Sequence, residues 1–224
     1  MTQFSSHGYL SIEISDAILP LSGAAICGWL LLQTVTGSIA DVAASIFGLF
    51  YLGFLPSHWI KLRNLLETDL INNFNLIPSD WSSSITFGML ITFSSCLMIV
   101  GFDIGSYFVG KKFGKHPLSP ISPSKTVEGV FGGLIFSILI GASFGYLLRW
   151  EFGIFIGIFT GILVAIFSLV GDLTESMMKR NAGLKDSGNF LPGHGGILDR
   201  IDSYLFTPVI VYYIVILLSP LVIS

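Results

Sequence analysis

The chain has 224 residues, of which 52% are hydrophobic and only 11% carry a formal charge. Its mean hydropathy of +0.80 is well above what a soluble domain of this size needs to fill its core, so the composition argues against a water-soluble protein and predicts a membrane protein. The net charge of -3 says little about partners, because most of the surface of such a protein faces lipid. No nucleic-acid partner is expected.

Six apolar runs follow one another along the chain. The first contains no charged side chain and would be roughly 36 Å long as an α-helix, enough to cross a hydrocarbon layer of about 30 Å. The runs are continuously apolar, whereas the strands of a membrane β-barrel would alternate between apolar and polar residues. We therefore predict an all-α fold, a polytopic transmembrane helical bundle of about six spans, in a single integral-membrane domain over residues 1–224. The expected spans are 17–40, 42–57, 84–102, 130–148, 152–170 and 204–222.

Three polar connections separate these spans, at 58–83, 103–128 and 171–202. If six helices alternate in direction, the second and third connections lie on the same side of the membrane. These two connections hold eight of the 11 basic residues, and by the positive-inside rule they face the cytoplasm. The eight residues are Lys111, Lys112, Lys115, Lys125, Lys179, Arg180, Lys185 and Arg200.

Glycines recur at four-residue spacing inside the later spans. They are Gly129 and Gly133, Gly141 and Gly145, then Gly153, Gly157 and Gly161. This spacing puts them on one helix face, where a neighbouring backbone can approach closely. It predicts tight helix packing, and a homodimer contact is a further expectation.

Acidic residues cluster around the last polar connection. Asp172, Glu175 and Lys179 recur at helical spacing, so they line one stripe if the fifth span continues as a helix past Gly171. Asp199 and Asp202 are three residues apart and project from one face of a helix that enters the last span. Two such acidic faces are suited to a divalent cation, because Mg²⁺ prefers oxygen ligands and often keeps only one or two carboxylates plus substrate phosphates.

Basic residues are interleaved with these acids, which suggests a metal together with a polyphosphate rather than an ion site alone. The glycine-rich run Pro192–Gly196 supplies backbone N–H groups that are free to meet anionic oxygens. Simpler readings stay open for each element alone: basic residues at helix ends serve as topology anchors, His194 makes local hydrogen bonds, and acids at span ends sit in water. The combination favours a site.

Two stretches resemble a known family. The run SMMKRNAGLKDSGNFLPGHGGILDRID, Ser176–Asp202, is similar to the signature of the CDP-diglyceride synthases, also called phosphatidate cytidylyltransferases. An upstream stretch, DIGSYFVGKKFGKHPLSPISPSKTVEG, Asp103–Gly129, resembles an earlier cytoplasmic segment of that family. The resemblance covers roughly residues 85–224, which are therefore expected to form the catalytic region.

The resemblance implies transfer of a cytidylyl group from CTP to phosphatidate, giving CDP-diacylglycerol and diphosphate, in a bacterial inner membrane or an organellar membrane with the active site facing the cytoplasm. Asp172, Asp199 and Asp202 would bind Mg²⁺, and a second cation is a further expectation. The catalytic basic residues would be Lys125, Lys179, Arg180, Lys185 and Arg200. The substrate-binding residues would be Ser122, Ser124, Thr126, Asp103, His194, Gly195 and Gly196.

Other functions compete with this one. A CTP-dependent polyprenol or dolichol kinase, or a cytidylyltransferase for an archaeal ether lipid, has a similar architecture. A transporter or channel is less favoured, because transport pathways usually place ionisable residues at mid-bilayer depth and the predicted span interiors have none. The CDP-alcohol phosphotransferase pattern and the nucleotide-binding loop G-x4-G-K-[ST] are both absent from the sequence.

Overall fold

The structure is a computed structural model that describes residues 6–33, 38–65, 86–147, 152–188, 190 and 195–222, without the side chains of 6–16 and 218–222. These residues are almost entirely helical, which confirms the predicted all-α class. The helices are α1 (Ser6–Leu31), α2 (Ile39–Gly48), a π-helical segment (Leu49–Phe54), α3 (Leu55–Arg63), α4 (Phe87–Phe113), α5 (Val127–Leu147), α6 (Gly153–Asn181), α7 (Leu198–Ile201) and α8 (Ser203–Val222).

Five helical stretches of the described chain are long and apolar enough to cross a membrane. They are Ile39–Arg63, Phe87–Phe113, Val127–Leu147, Gly153–Asn181 and Leu198–Leu217. About six were predicted. The predicted first span overlaps α1, which has 26 residues and begins and ends earlier in the chain than the predicted span; its part with described side chains, Ala17–Leu31, is apolar. The count of about six spans is therefore roughly consistent with the structure. The short second run is part of a longer helix than expected, since α2, the π-helical segment and α3 follow one another without a break.

The chain divides into two compact units, residues 1–57 and 58–224. In the first unit, Ser38 caps α2: its hydroxyl accepts the Asp41 N–H at 3.2 Å, while the Asp41 carboxylate accepts the Ser38 N–H at 2.7 Å. This reciprocal cap satisfies backbone donors that an α-helix leaves unpaired at its start. The expectation of one membrane domain over 1–224 stays a prediction.

In the second unit, α4, α5, α6 and α8 pack against one another. Apolar side chains of α3, α4, α6 and α8 form a buried core. A hydrogen bond joins the start of this unit to α8, from Trp59 Nε1 to the carbonyl of Tyr204 at 2.9 Å. The core residues are Leu62, Phe87, Ile91, Met98, Ile99, Val164 and Val211.

Glycines bring α5 and α6 together. A Cβ added at Gly141 would meet the carbonyl oxygen of Gly157, and one added at Gly157 would meet the carbonyl oxygen of Gly141. The two backbones therefore approach more closely than any larger residue allows. This confirms the predicted tight packing. The homodimer stays a prediction, because these glycines already serve contacts within the chain.

Two helices run beyond the apolar segments from which they were predicted. α4 continues to Phe113 rather than ending near residue 102, and α6 continues to Asn181. The connection after α4 therefore begins at residue 114, and Asp103 lies on a helix rather than in a loop. The charged residues near the ends of α4 and α6 therefore lie on α-helical backbone.

Candidate active site

An ion pair joins the polar connection that precedes α5 to the one that was predicted to follow the fifth span. The Nζ atom of Lys125, which precedes α5, pairs with the Oδ2 atom of Asp172 near the end of α6. Their side chains are 29% and 13% exposed, so the pair is partly removed from water. The two basic connections therefore share one end of the helical bundle, as the charge pattern predicted.

Asp172 also links α6 to α8. The Ser203 hydroxyl donates a hydrogen bond to Asp172 Oδ1, and the Asp202 carboxylate lies beside that of Asp172. Gly171 makes this approach possible, because a Cβ there would meet the carbonyl oxygen of Asp202. Two carboxyl groups are thus held side by side, and Lys125 pairs with that of Asp172.

A second charged group lies farther along α6. Lys179 Nζ bridges the Glu175 Oε2 atom and the Asp199 Oδ1 atom, the latter at 2.6 Å. Glu175 is 1% exposed, and its Oε1 atom has no hydrogen-bond partner among the described residues. A buried carboxylate oxygen without a partner is costly, so this point is suited to an incoming donor or cation.

Asp199 organises the segment that precedes α7. Its Oδ2 atom accepts hydrogen bonds from the Ser187 N–H at 2.9 Å, the Ser187 hydroxyl at 2.8 Å and the Gly196 N–H at 2.7 Å. The sequence predicted that the N–H groups of this glycine-rich run are free for anionic oxygens. The Gly196 N–H instead donates to a carboxylate of the chain itself. Gly195 adopts a positive φ of 79°, a conformation that favours glycine.

These residues surround a cavity of about 350 Å³, here called the charged cavity. Every residue that lines it carries a charge or a hydroxyl group. Most come from α6, from α7 and from the start of α8, and Asp103 and Lys125 complete it. The lining residues are Asp103, Lys125, Asp172, Glu175, Ser176, Lys179, Asp199, Arg200, Asp202 and Ser203.

A second cavity of about 400 Å³, here called the mixed cavity, lies between α4, α5 and α6. Asp103, Lys125 and Asp172 line both cavities. Apolar residues form much of the rest of its wall, and Lys111 adds a cation whose Nζ atom lies 3.4 Å from the Tyr107 hydroxyl. The other lining residues are Phe102, Ser106, Tyr107, Gly110, Ser124, Thr126, Gly129, Val130 and Leu169.

Several residues predicted for the site lie outside both cavities. Ser122 is buried, and its carbonyl accepts the Lys125 N–H at 3.1 Å. Arg180 is exposed and directs Nη1 towards the carbonyl of Leu184 at 3.4 Å. Lys185 is also exposed and lines neither cavity. His194 lies outside the described residues.

The acids do not form a ready metal cluster. Among the described residues, no group of three or more His, Cys, Asp or Glu side chains is placed to hold a metal ion. Asp172 and Asp202 nevertheless present adjacent carboxylates to the charged cavity, and Glu175 adds an unpaired oxygen. This donor set fits a hard cation that takes one or two protein carboxylates and completes its shell with substrate phosphates.

The sequence model of the cytidylyltransferase family matches residues 6–218. The chain belongs to this family. Cytidylyltransferases are nucleotidyltransferases, and the family match confirms the resemblance that the two charged stretches carry. It extends beyond residues 85–224 to nearly the whole chain.

Relatives with this family name cover much of the chain. A phosphatidate cytidylyltransferase of Synechocystis sp. is 47% identical over 217 residues, which are 93% of this chain and 73% of the relative. The chloroplastic phosphatidate cytidylyltransferase 4 of Arabidopsis thaliana is 41% identical over 189 residues, 82% of this chain and 48% of the relative. The phosphatidate cytidylyltransferase of Bacillus subtilis is 36% identical over 170 residues, which are 75% of this chain and 56% of the relative. The chain thus spans about half the length of the last two.

Sequence reasoning gave no site role to several residues that the structure places here. Ser203 holds Asp172, and Ser187 holds Asp199. Local spacing predicts neither contact, because Ser203 and Asp172 lie on different helices and Ser187 lies in the segment between α6 and α7. Glu175 lies on the acidic stripe that the sequence predicted, and that position could have indicated a role for it in the site. Lys111 entered the sequence analysis only as one of the basic residues that predict the orientation in the membrane. Its place in the lining of the mixed cavity is what relates it to the site.

Proposed function

We propose that the chain is a phosphatidate cytidylyltransferase, which converts CTP and phosphatidate into CDP-diacylglycerol and diphosphate in phospholipid biosynthesis. The observation that carries the proposal is the wall of Asp103, Lys125 and Asp172 shared by two chemically different cavities. A reaction between two unlike substrates needs two such spaces that meet at one point. The names of the relatives agree with this reaction.

The reaction does not need a general base to activate phosphatidate. A phosphate monoester has a second pKa near 6, so phosphatidate is largely dianionic at neutral pH and already nucleophilic. A phosphatidate oxygen attacks the α-phosphorus of CTP, the bond from that phosphorus to the bridging oxygen breaks, and diphosphate leaves. The protein must align two anions and neutralise the charge that develops on the leaving group.

The charged cavity is the proposed place for the triphosphate. Lys179 and Arg200 line it, and both would contact phosphate oxygens, with Lys125 at its border. In the described structure Lys125 and Lys179 each pair with carboxylates. A bound triphosphate would compete for these cations. Arg180 and Lys185, predicted from the resemblance, are exposed and would serve phosphate capture at the entrance.

The mixed cavity is the proposed place for the lipid head group. Its wall includes the apolar side chains of Phe102, Val130 and Leu169, whereas Lys111, near the end of α4, and Lys125, in the connection that follows, supply cations. An amphipathic ligand matches this combination, since its phosphate meets the cations and its glycerol carbons meet the apolar wall. Ser124 and Thr126 also line this cavity and would add hydroxyl donors.

Asp172 and Asp202 are the proposed ligands of Mg²⁺, and Asp199 stays in the proposed set as a third carboxylate. When bound, the cation would supply positive charge that offsets the negative charge of the two substrates and of the leaving diphosphate. Asp172 also holds Lys125, so this carboxylate ties the cation of one loop to the metal position. Ser203 fixes its orientation.

We expect the site to face the cytoplasm, where soluble CTP meets a lipid head group at the interface. The proposal rests on the excess of basic residues in the two connections that share this end of the bundle. A bacterial inner membrane or an organellar membrane would both suit it.

Release of diphosphate tests the proposed reaction. Purified protein in detergent or vesicles is given CTP and Mg²⁺, with and without phosphatidate, and diphosphate is measured. We expect release only when both substrates are present. Release of CDP in place of diphosphate, with a polyprenol as acceptor, would instead identify a CTP-dependent kinase. An archaeal ether-lipid acceptor used in preference to phosphatidate would redirect the substrate assignment.

A further inference from the structure

Glu128 makes an unusual set of contacts just outside the two cavities. It is the second residue of α5, and its Oε2 atom accepts hydrogen bonds from the backbone N–H groups of Lys115 and His116 at 3.1 and 3.3 Å. Its Oε1 atom lies 2.6 Å from His116 Nδ1. One side chain at the start of α5 therefore holds the backbone that has just left α4.

These contacts close the loop between α4 and α5, residues 114–126. Beside Glu128, the Val127 N–H donates to the carbonyl of His116 at 3.0 Å, and the Leu118 N–H donates to the carbonyl of Lys125 at 2.8 Å. Pro117 and Thr126 face each other as an isolated antiparallel bridge. The two ends of the loop thus run side by side, and Glu128 fastens them at the helix side.

Lys125 lies at the closed end of this loop. Its N–H donates to the carbonyl of Ser122 at 3.1 Å, and its carbonyl accepts the Leu118 N–H. The backbone on both sides of its Cα is therefore bonded within the loop, and the amine reaches Asp172 on α6. A displacement at the loop base would carry Lys125 away from the wall that the two cavities share.

We propose that Glu128 is a positioning residue for Lys125: its carboxylate fastens the 114–126 loop to α5 and so sets where the Lys125 amine stands. This inference rests on the proposed function of Lys125, but the loop closure it describes does not. The first turn of a helix also favours an acid, because unpaired backbone N–H groups point towards it.

The two kinds of contact contribute differently. The ion pair with His116 joins side chains that are 77% and 26% exposed, and pairs this open to water contribute little. The contacts to the two backbone N–H groups hold the loop itself. His116→Ala should therefore change little, while Glu128→Ala should release the loop. Glu128→Gln keeps an oxygen that accepts both N–H groups and should largely preserve the closure.

Amide hydrogen exchange tests the closure without reference to activity. In the full-length protein, Glu128→Ala should speed exchange in peptides covering residues 114–127, while Glu128→Gln and His116→Ala stay near wild type. Exchange in α8 serves as the internal control for an intact fold. Unchanged exchange in Glu128→Ala would overturn the proposal, whatever reaction the protein catalyses.

A double-mutant comparison tests the link to Lys125. Glu128→Ala should lower kcat by about tenfold or more, because a misplacement of about 1 Å can cost up to about 10²-fold in rate. Glu128→Gln should restore kcat to within about threefold of wild type. Added to Lys125→Ala, Glu128→Ala should cause no further loss. Independent, multiplying losses would show that Glu128 does not act through Lys125 and would overturn the proposal.

The two tests separate this proposal from the proposed reaction. If wild-type protein releases no diphosphate from CTP and phosphatidate, the reaction assignment fails and hydrogen exchange still decides the role of Glu128 in the loop. If diphosphate is released and Glu128→Ala exchanges and turns over as wild type does, the reaction stands and the positioning role is excluded.

Discussion

Lys125 and Asp172 form an ion pair although 47 positions separate them in the chain. The pair joins the loop before α5 to the C-terminal part of α6. The start of α5 and the C-terminal part of α6 therefore lie at the same end of the bundle. Because Asp172 also accepts from Ser203, a single carboxylate connects three parts of the second unit. The candidate site is built around this carboxylate.

Removal of Lys125 should impair turnover of both substrates, since Lys125 lines both cavities. We expect Lys125→Ala to lower kcat/KM by about 10²- to 10³-fold, the usual loss when one preorganised donor to a developing charge is removed. Lys112→Ala is the matched control, because Lys112 lies over the Phe113 ring and lines neither cavity. Steady-state kinetics with each substrate varied in turn measures both variants. Equal activity of the two variants would remove Lys125 from the site.

Asp202→Asn should separate stability from activity. The amide has the shape of the carboxyl group but cannot ionise beside Asp172, so thermal unfolding should be unchanged or shifted upwards. Activation by Mg²⁺ should be lost, with turnover down by at least about 10²-fold. A titration of activity against Mg²⁺ concentration, beside a thermal unfolding curve, measures both effects. Wild-type activation by Mg²⁺ would exclude Asp202 as a ligand.

Asp199→Asn distinguishes a metal ligand from an organiser of the preceding segment. Asparagine keeps an oxygen for Ser187 and Gly196 but loses the charge that faces Lys179. If Asp199 mainly organises this segment, turnover falls at every Mg²⁺ concentration while the half-saturating concentration stays that of wild type. An increase in that concentration would assign the carboxylate to the metal. The Asp202→Asn titration provides the comparison.

Lys111→Ala should act on the lipid substrate alone, since Lys111 lines the mixed cavity and not the charged one. We expect KM for phosphatidate to rise about fivefold, less than the full value of a hydrogen bond to a charged group, because Lys111 is exposed. KM for CTP should not change, and Lys112→Ala again serves as the control. A rise in KM for CTP would place the nucleotide in the mixed cavity instead.

Gly171→Ala should disrupt the approach of α6 to Asp202, because the added Cβ would meet the Asp202 carbonyl oxygen. The backbone cannot yield as the end of a flexible side chain would, so we expect a lower unfolding temperature together with loss of activity. Gly48→Ala is the control, since nothing lies within 4 Å of an added Cβ there. Similar unfolding temperatures for the two variants would contradict the close approach.

Periodicity and charge together predicted a large part of this arrangement. The spacing of Asp172, Glu175 and Lys179 depends only on a continuous helix, and the structure continues α6 to Asn181. The shared side of the two connections followed from the basic residues alone, and the contact of Lys125 with Asp172 agrees with it. Both inferences needed only local structure or the alternation of spans.

Other features were not predictable from local patterns. The continuation of α4 to Phe113 was missed, because Asp103 marks the end of the apolar run while charged residues at a helix end are tolerated where water is near. Ser203, Gly171 and the four hydrogen bonds of Asp199 depend on which helices meet and at what height. Hydropathy also placed the first span too late in the chain, since α1 covers Ser6–Leu31 and a charge-free run does not fix where a helix begins or ends.

The central claim is that phosphatidate attacks the α-phosphorus of CTP where the two cavities meet. It is tested most directly by incubating purified protein with phosphatidate, Mg²⁺ and CTP labelled at either the α- or the γ-phosphorus, then extracting the lipid. The account predicts label in the lipid from the α position only, and none from Lys125→Ala at the same protein level. Lipid labelled only from the γ position would contradict it.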